Sequence, residues 1–349
     1  MKSKYVVYPR AQEVAVWEEE IEPPQEGEIL CQAEKSLISI GTELHCLRGQ
    51  TDPGTNWHDW VKYPFRPGYS MVGRVLEVGK GVKSVKEGDR IANYGLHQQY
   101  YKVQVEHLEK RYDIPLGIGI YVLPDGISSE EGTWRSLAVT TQSAVRRAEF
   151  QFGETVGVIG LGILGQLVTQ YLAAAGARRI IAIDPAADRL ELARQHGATH
   201  TLQLSAQDAL DPVRKITDGW MLDVVFEVTG HPAVLSPAIQ LVRRLGRLLL
   251  LGDTPTPSQQ HLGPGVVFKS IAILGIHGYQ VPDKRTEYTP WSVEEMSGVF
   301  FDYLLRGRMN VKDLVTHRIS PLQAPETYLG LLQDRSAAVG VILDWEQLG

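Results

Sequence analysis

The sequence predicts an α/β plus β fold: a β-rich lobe, barrel-like or sandwich-like, joined to a doubly wound parallel sheet. Three observations predict it. The 349 residues match two domains of ordinary size. Residues 1 to about 125 hold short strand-like runs broken by Gly and Pro. From Thr155 to Ile276 apolar strands alternate with helical stretches, the mark of βαβ units whose sheet is covered on both faces.

The elements follow in order. Tyr5–Tyr8, Ile29–Ala33, Met71–Val78 and Tyr100–Val105 read as strands, with turn signals at Pro23-Pro24, Gly79-Lys80-Gly81 and Gly88-Asp89. Residues 128–148 read as a helix capped by Ser128, with Glu130 and Glu131 in its first turn. Strand Thr155–Ile159 leads through a Gly-rich turn into helix Ile163–Ala175. Strand Ile180–Ile183, helix Arg189–His196, strand Asp223–Val228, helix Ala233–Leu245, strand Arg247–Leu251 and strand Ser270–Ile276 follow. A polar loop, Tyr279–Trp291, precedes helix Val293–Gly307, a short linker and a last strand, Val339–Leu343.

Composition excludes several classes. With 35 basic and 41 acidic residues, net charge −6, the chain has no global positive field for nucleic acid or an anionic membrane. No apolar run approaches the roughly 18 residues of a membrane span, and the first residues lack a signal-peptide pattern. Two cysteines, Cys31 and Cys46, cannot form a disulfide scaffold or a four-thiolate zinc site. A reduced, cytoplasmic home is expected.

Gly160-Leu161-Gly162-Ile163-Leu164-Gly165 fits G-x-G-x-x-G, between a strand and a helix as that motif requires. Gly160 permits the tight turn, Gly162 lets backbone approach a pyrophosphate, and Gly165 lets helix and strand pack closely. The helix N-terminus offers unpaired N–H groups to phosphates. Asp184 ends the next strand, where a carboxylate binds ribose hydroxyls and repels a 2′-phosphate. A Rossmann domain binding NAD, rather than NADP, is expected. Arg189 would stack near adenine or pair along its helix face.

Here the chain resembles the medium-chain dehydrogenase/reductase superfamily, the alcohol and polyol dehydrogenases. The stretches Pro67-Gly68, Val72-Gly73-Arg74-Val75, Val85 to Arg90, the fingerprint, Glu227-Val228-Thr229-Gly230 and Leu314 to Arg318 carry the likeness over nearly the whole chain. The resemblance implies a GroES-like catalytic domain of residues 1–150 and 290–349, with a Rossmann domain, 151–289, inserted between. It implies an active site in the interdomain cleft and a homodimer or homotetramer. It also places Thr229 and Gly252 along the cofactor.

Many members of that family bind a catalytic zinc. Carried over residue by residue, the ligand positions hold Ile40, Tyr69 and Arg135. Ile has no donor atom, Tyr is an uncommon ligand, and Arg repels a cation. No catalytic zinc is therefore expected, nor a structural one, since residues 91–120 contain no Cys. Cys46 beside His45 reads as a packed thiol rather than a metal pair.

Without a metal, a side chain must take the alcohol's proton or steady the alkoxide. Thr42 and His45 match the family's proton relay. Tyr69 and Arg135 would point into the space left by zinc, where the guanidinium would favour phenolate. His97 and His277 are alternative bases, and His277 would also lie near substrate and cofactor. Trp57 and Trp60, in a Pro/Gly-rich stretch from Thr51 to Phe65, offer apolar faces to a ring-shaped polyhydroxylated substrate. The Tyr279–Trp291 loop reads as a lid or an interface arm.

The expectation is an NAD-dependent, zinc-independent oxidoreductase acting on a secondary alcohol of a sugar, cyclitol or other polyol. A quinone or enone reductase, a dehydrogenase of a hydroxyethyl-tetrapyrrole, and a catalytically silent NAD-binding protein stand as alternatives.

Overall fold

The computed structural model describes residues 1–105, 119–282 and 285–348. Its first lobe opens with an antiparallel hairpin, β1 (Lys2–Val7) and β2 (Ala15–Glu20). Then come β3 (Glu28–Leu37), helices α1 (Ile40–Arg48) and α2 (Asn56–Trp60), and strands β4 (Met71–Val78), β5 (Arg90–Asn93), β6 (Tyr100–Gln104) and β7 (Tyr121–Val122). The stretch from Thr51 to Phe65 is thus not all loop. Thr55 caps α2 by accepting the His58 N–H at 3.1 Å. The stretch expected as one helix over 128–148 is two, α3 (Ser129–Gly132) and α4 (Arg135–Arg147), with fully buried Trp134 at the junction.

The second lobe is a six-stranded parallel sheet in the order β10-β9-β8-β11-β12-β13. Its elements in chain order are β8 (Thr155–Ile159), α5 (Ile163–Ala174), β9 (Arg179–Ile183), α6 (Ala187–Gln195), β10 (His200–Leu202), α7 (Leu210–Ile216), β11 (Leu222–Glu227), α8 (Leu235–Leu241), β12 (Val242–Leu250), α9 (Val266–Lys269) and β13 (Ala272–Gly275). Apolar residues from its strands are buried on both faces, which is why they read as continuous hydrophobic runs. The helix expected to reach Leu245 stops at Leu241. Val242 already pairs with Leu222, and Leu245 turns to φ +58°.

The chain then returns to the first lobe through α10 (Val293–Leu305), β14 (Val315–Ile319), α11 (Ala324–Gln333) and β15 (Gly340–Asp344). The region read as a short linker therefore carries a strand and a helix. β15 pairs antiparallel with β3, Ile342 opposite Leu37, inside a sheet ordered β14-β15-β3-β4-β5-β7 with β6 also on β3. The end of the chain thereby closes the sheet that its beginning opened. No helix among the described residues is long and apolar enough to cross a membrane.

Gly165 shows how tightly α5 seats on β8. A Cβ there would lie 1.9 Å from the Gly160 carbonyl oxygen, a backbone atom that cannot swing aside. Gly165→Ala should destabilise the protein by about 1–3 kcal/mol through overpacking, read as a lower urea midpoint. An unchanged midpoint would contradict this packing.

Candidate active site

The two lobes face one another across a cleft of about 910 Å³. The second lobe contributes the C-terminal ends of its strands, where open α/β sheets bind ligands. Gly160 (φ +92°) turns the chain, and its Cβ would strike Thr229 Cγ2 at 2.7 Å. Gly162 lines the cleft, with no heavy atom within 4 Å of where its Cβ would stand. It begins α5 without a side-chain cap, so the first N–H groups of that 12-residue helix stay open to an anion. Ile163, Leu164, Asp184, Arg189, Thr229 and Gly252 also line the cleft. Leu161 and Gly165 do not. Leu161 is buried and gives its N–H to Asp184 Oδ2 at 2.7 Å, and Gly165 packs beneath the turn. This bare cradle fits a dinucleotide pyrophosphate.

Asp184 Oδ1 accepts the Ala186 N–H at 2.8 Å, so the carboxylate ties the Gly-rich turn to the next loop. Arg189 lines the cleft and reaches beyond its own helix face. Its guanidinium donates to the carbonyls of Arg335 and Ala338, the latter at 2.9 Å, and stands 3.9 Å from Asp184. It therefore ties α6 to the C-terminal segment. Burial pulls its pKa down, while Asp184 holds the charge in place. Under Thr229 lies Glu227, a buried carboxyl that accepts the Thr229 N–H at 2.7 Å and the Thr229 hydroxyl. Burial pushes it up to about 7.

From the first lobe, α1 and its flanks bring Ser39, Thr42 and His45 to the cleft, with Tyr69 beside them. The Tyr69 hydroxyl donates to Ser39 Oγ, and Thr42 Oγ1 lies 3.3 Å from it. Three hydroxyls thus share one wall. His45 is held neutral: burial, then Arg48, Arg335 and His231, lower its pKa from 6.5 to about 4. Trp57 stands edge-on to His45 at 5.7 Å and packs beside Trp60 at 5.8 Å. Both tryptophans and exposed His277 line the cleft.

Two expected members lie elsewhere. Arg135 is buried outside the cleft lining. Its Nε donates to Ser297 Oγ at 2.8 Å and its Nη1 to the Gly119 and Ala92 carbonyls. It sits 5.7 Å over the rings of Tyr94 and Tyr121, not paired with Tyr69. The reason is chemical: a buried guanidinium needs several acceptors, and this niche between α4 and α10 supplies them. His97, fully buried, is also no cleft base. Its Nε2 lies 3.1 Å from Glu43 Oε2 and its Nδ1 2.8 Å from Ser36 Oγ.

Sequence reasoning missed Ser39, Arg48, Tyr94, His231, Asp253 and Arg335, all of which line the cleft. Ser39 and Arg48 flank the Gly41-Thr42 stretch, His231 follows Thr229-Gly230 and Asp253 follows Gly252, so adjacency was the signal that could have found these four. The rest are brought in by distant segments. A short turn, Gly278–Gln280, leads into the Tyr279–Trp291 loop. Residues 283 and 284 lie outside the described residues, as do residues 106–118 of the stretch read as free of a structural zinc loop.

Residues 164–296 match the family model for a zinc-binding dehydrogenase, and residues 26–149 match that for an alcohol dehydrogenase GroES-like domain. Sorbitol dehydrogenase of Bacillus subtilis is 29% identical over 310 residues, 81% of this chain and 82% of that protein. D-guloside 3-dehydrogenase of Escherichia coli is 26% identical over 266 residues, 76% of this chain and 73% of that protein. The crystal structure of 2R,3R-butanediol dehydrogenase from Bacillus subtilis shares the fold with a TM-score of 0.77, at 22% identity over 98% of this chain and 99% of that one. The chain belongs to the medium-chain dehydrogenase/reductase superfamily, a class of oxidoreductases.

The zinc in that family model's description does not suit the residues present. Ile40 offers no donor, the Tyr69 phenol is hydrogen-bonded to Ser39, and Arg135 carries a positive charge. Among the described residues no three of His, Cys, Asp and Glu gather as a metal would need. Cys46 is fully buried, its thiol pushed up by burial and by Glu43.

The state of His45 has a measurable consequence. An unfolded chain takes up this proton near pH 6.5, whereas the folded one does so near 4. Stability should therefore fall as pH drops from about 6.5 towards 4. His45→Asn should flatten that fall in urea-unfolding series. An equally steep fall in the variant would place the effect elsewhere.

Proposed function

We propose that this protein is a nicotinamide-dependent dehydrogenase that interconverts a secondary alcohol of a sugar, cyclitol or other polyol and its ketone, with NAD as cofactor and no zinc. One observation carries the reading. A bare Gly-rich cradle and a wall of three hydroxyls, Ser39, Thr42 and Tyr69, face the same cleft from opposite lobes. The polyol dehydrogenases among its relatives support the alcohol class.

The N-terminal N–H groups of α5 would hold the pyrophosphate, and Asp184 and Thr229 would flank the adenosine and nicotinamide sides. Asp184 favours NAD because its carboxylate repels a 2′-phosphate. When bound, the nicotinamide supplies the hydride acceptor. The chain's residues manage the proton. Thr42 and Tyr69 hold the substrate hydroxyl, the shared hydrogen bonds with Ser39 steady the developing alkoxide, and neutral His45 can accept the proton towards solvent.

Incubation with NAD and a panel of neutral sugars, cyclitols and alditols should raise the reduced-nicotinamide absorbance, unaffected by prior dialysis against a chelator. Absence of turnover across the panel, or loss of turnover on chelation with recovery on zinc, would overturn this reading. Tyr69→Phe should lower kcat at least about tenfold, the usual scale of proton-transfer catalysis. An unchanged kcat would remove Tyr69 from the chemistry.

The same reading includes a homo-oligomer. β13 is the last strand of its sheet, and beside it Val267 and Phe268 of α9 are 90% and 76% exposed. An open strand edge with apolar neighbours suits pairing with a second copy. Light scattering should give a dimer or tetramer mass, and Phe268→Asp should lower it. A monomer mass for the unmodified protein would end this part. The buried, unpaired thiols of Cys31 and Cys46 suit a cytoplasmic setting.

A further inference from the structure

Charge is unevenly distributed along the cleft. Three guanidiniums line it, Arg48, Arg189 and Arg335, and the charges of Arg48, Arg189 and Asp184 all act on Arg335. Towards the tryptophans the wall changes character. Trp57 and Trp60 stand 5.8 Å apart with planes inclined at 50°, and Trp60 is 46% exposed. Beside them Asp253 extends from the end of β12, directly after Gly252. Its Oδ2 accepts the Trp57 indole N–H at 2.8 Å and is 3.4 Å from the Asn56 amide nitrogen. Its Oδ1 has no partner among the described residues, and no cation among them pairs with the carboxylate.

This carboxylate is held in place from the other lobe. Two further hydrogen bonds reinforce that contact: the Asp52 N–H donates to the Pro255 carbonyl at 2.8 Å, and the Ser258 N–H to Asp52 Oδ2 at 2.7 Å. Asp253 is therefore a fixed acceptor with one free oxygen, next to exposed indole surface and paired with no cation among the described residues. Such an oxygen accepts charge-assisted hydrogen bonds from hydroxyls, while the indole packs on the apolar face of a ring. An anionic group brought to the same place meets an unneutralised like charge, and repulsion of that kind is how sites reject near-relatives of their ligand.

We propose that Asp253 is a specificity-determining residue, and that it selects uncharged cyclic polyols, glycosides or cyclitols, over phosphorylated or carboxylated sugars. This inference deepens the polyol dehydrogenase reading and rests on it. It adds the requirement that the ring carry no anion. Neighbouring hydroxyls would donate to Asp253 Oδ1 while Trp60 covers a ring face.

The test measures binding, not turnover. Methyl β-D-glucopyranoside, methyl α-D-galactopyranoside, myo-inositol and glucose 6-phosphate are titrated by saturation-transfer NMR into the protein with saturating NADH and again without it. NADH association is followed by nicotinamide fluorescence. At least one neutral ring should bind, and glucose 6-phosphate should bind at least about tenfold more weakly. Asp253→Asn preserves shape and an acceptor for Trp57. It should weaken the neutral ring at least about tenfold, the scale of a lost charge-assisted hydrogen bond, and narrow the gap to the phosphate. Trp60→Ala should weaken the neutral ring and leave that gap unchanged.

Tighter binding of glucose 6-phosphate, binding of none of the three neutral rings, or unaltered affinities in Asp253→Asn would each overturn the proposal. Failure of NADH to associate would sink the nicotinamide reading instead, and the titrations without NADH would still report on Asp253.

Discussion

One buried carboxylate organises the first lobe. Glu43, 2% exposed, lies within α1 and is bonded on every side. Its Oε1 accepts the Ser39 N–H at 2.8 Å, and its Oε2 meets His97 at 3.1 Å and accepts the Tyr328 hydroxyl. Behind His97, Ser36 accepts the Trp345 indole N–H at 2.9 Å. A carboxyl group withdrawn from water is tolerated only when its lone pairs are satisfied in this way. Leaving such a buried acceptor short of one partner costs about 1–3 kcal/mol. The network joins β3, α1, the loop before β6, α11 and the C-terminal residues. It fixes the first turn of α1, from which Ser39, Thr42 and His45 reach the cleft.

The second lobe answers with backbone rather than side chains. Gly162 leaves space, Gly160 turns, and Gly165 brings α5 close to β8. Between these walls lies the cleft. The guanidiniums of Arg48, Arg189 and Arg335, the hydroxyls of Ser39, Thr42 and Tyr69, and the indoles of Trp57 and Trp60 with the Asp253 carboxylate all line it. Ile40, Tyr69 and Arg135 supply an aliphatic side chain, a phenol and a buried cation. The phenol is the one of the three that keeps polar chemistry in the cleft, through Ser39 and Thr42.

How legible each feature was depended on how local its cause is. The strand, glycine turn, helix and terminal carboxylate at 155–184 follow from periodicity and from backbone conformations that only glycine adopts easily. Helix ends were less legible. Leu241 ends α8 because Val242 is captured by Leu222, a partner twenty residues earlier. Arg135 and His97 show the limit most clearly. Their residue types suit catalysis, but a side chain's direction depends on which acceptors the packed neighbours present. For Arg135 those are Ser297 and two carbonyls, and for His97 they are Glu43 and Ser36.

The sequence by itself determined the parallel α/β lobe and the Gly-rich turn between its first strand and helix, because both depend on residue type at short spacing. Tertiary structure decided which groups share the cleft. Asp253 and Trp57 lie far apart in the chain, yet an indole N–H meets a carboxylate there at 2.8 Å. Such a contact arises from the docking of two lobes, which local pattern cannot encode.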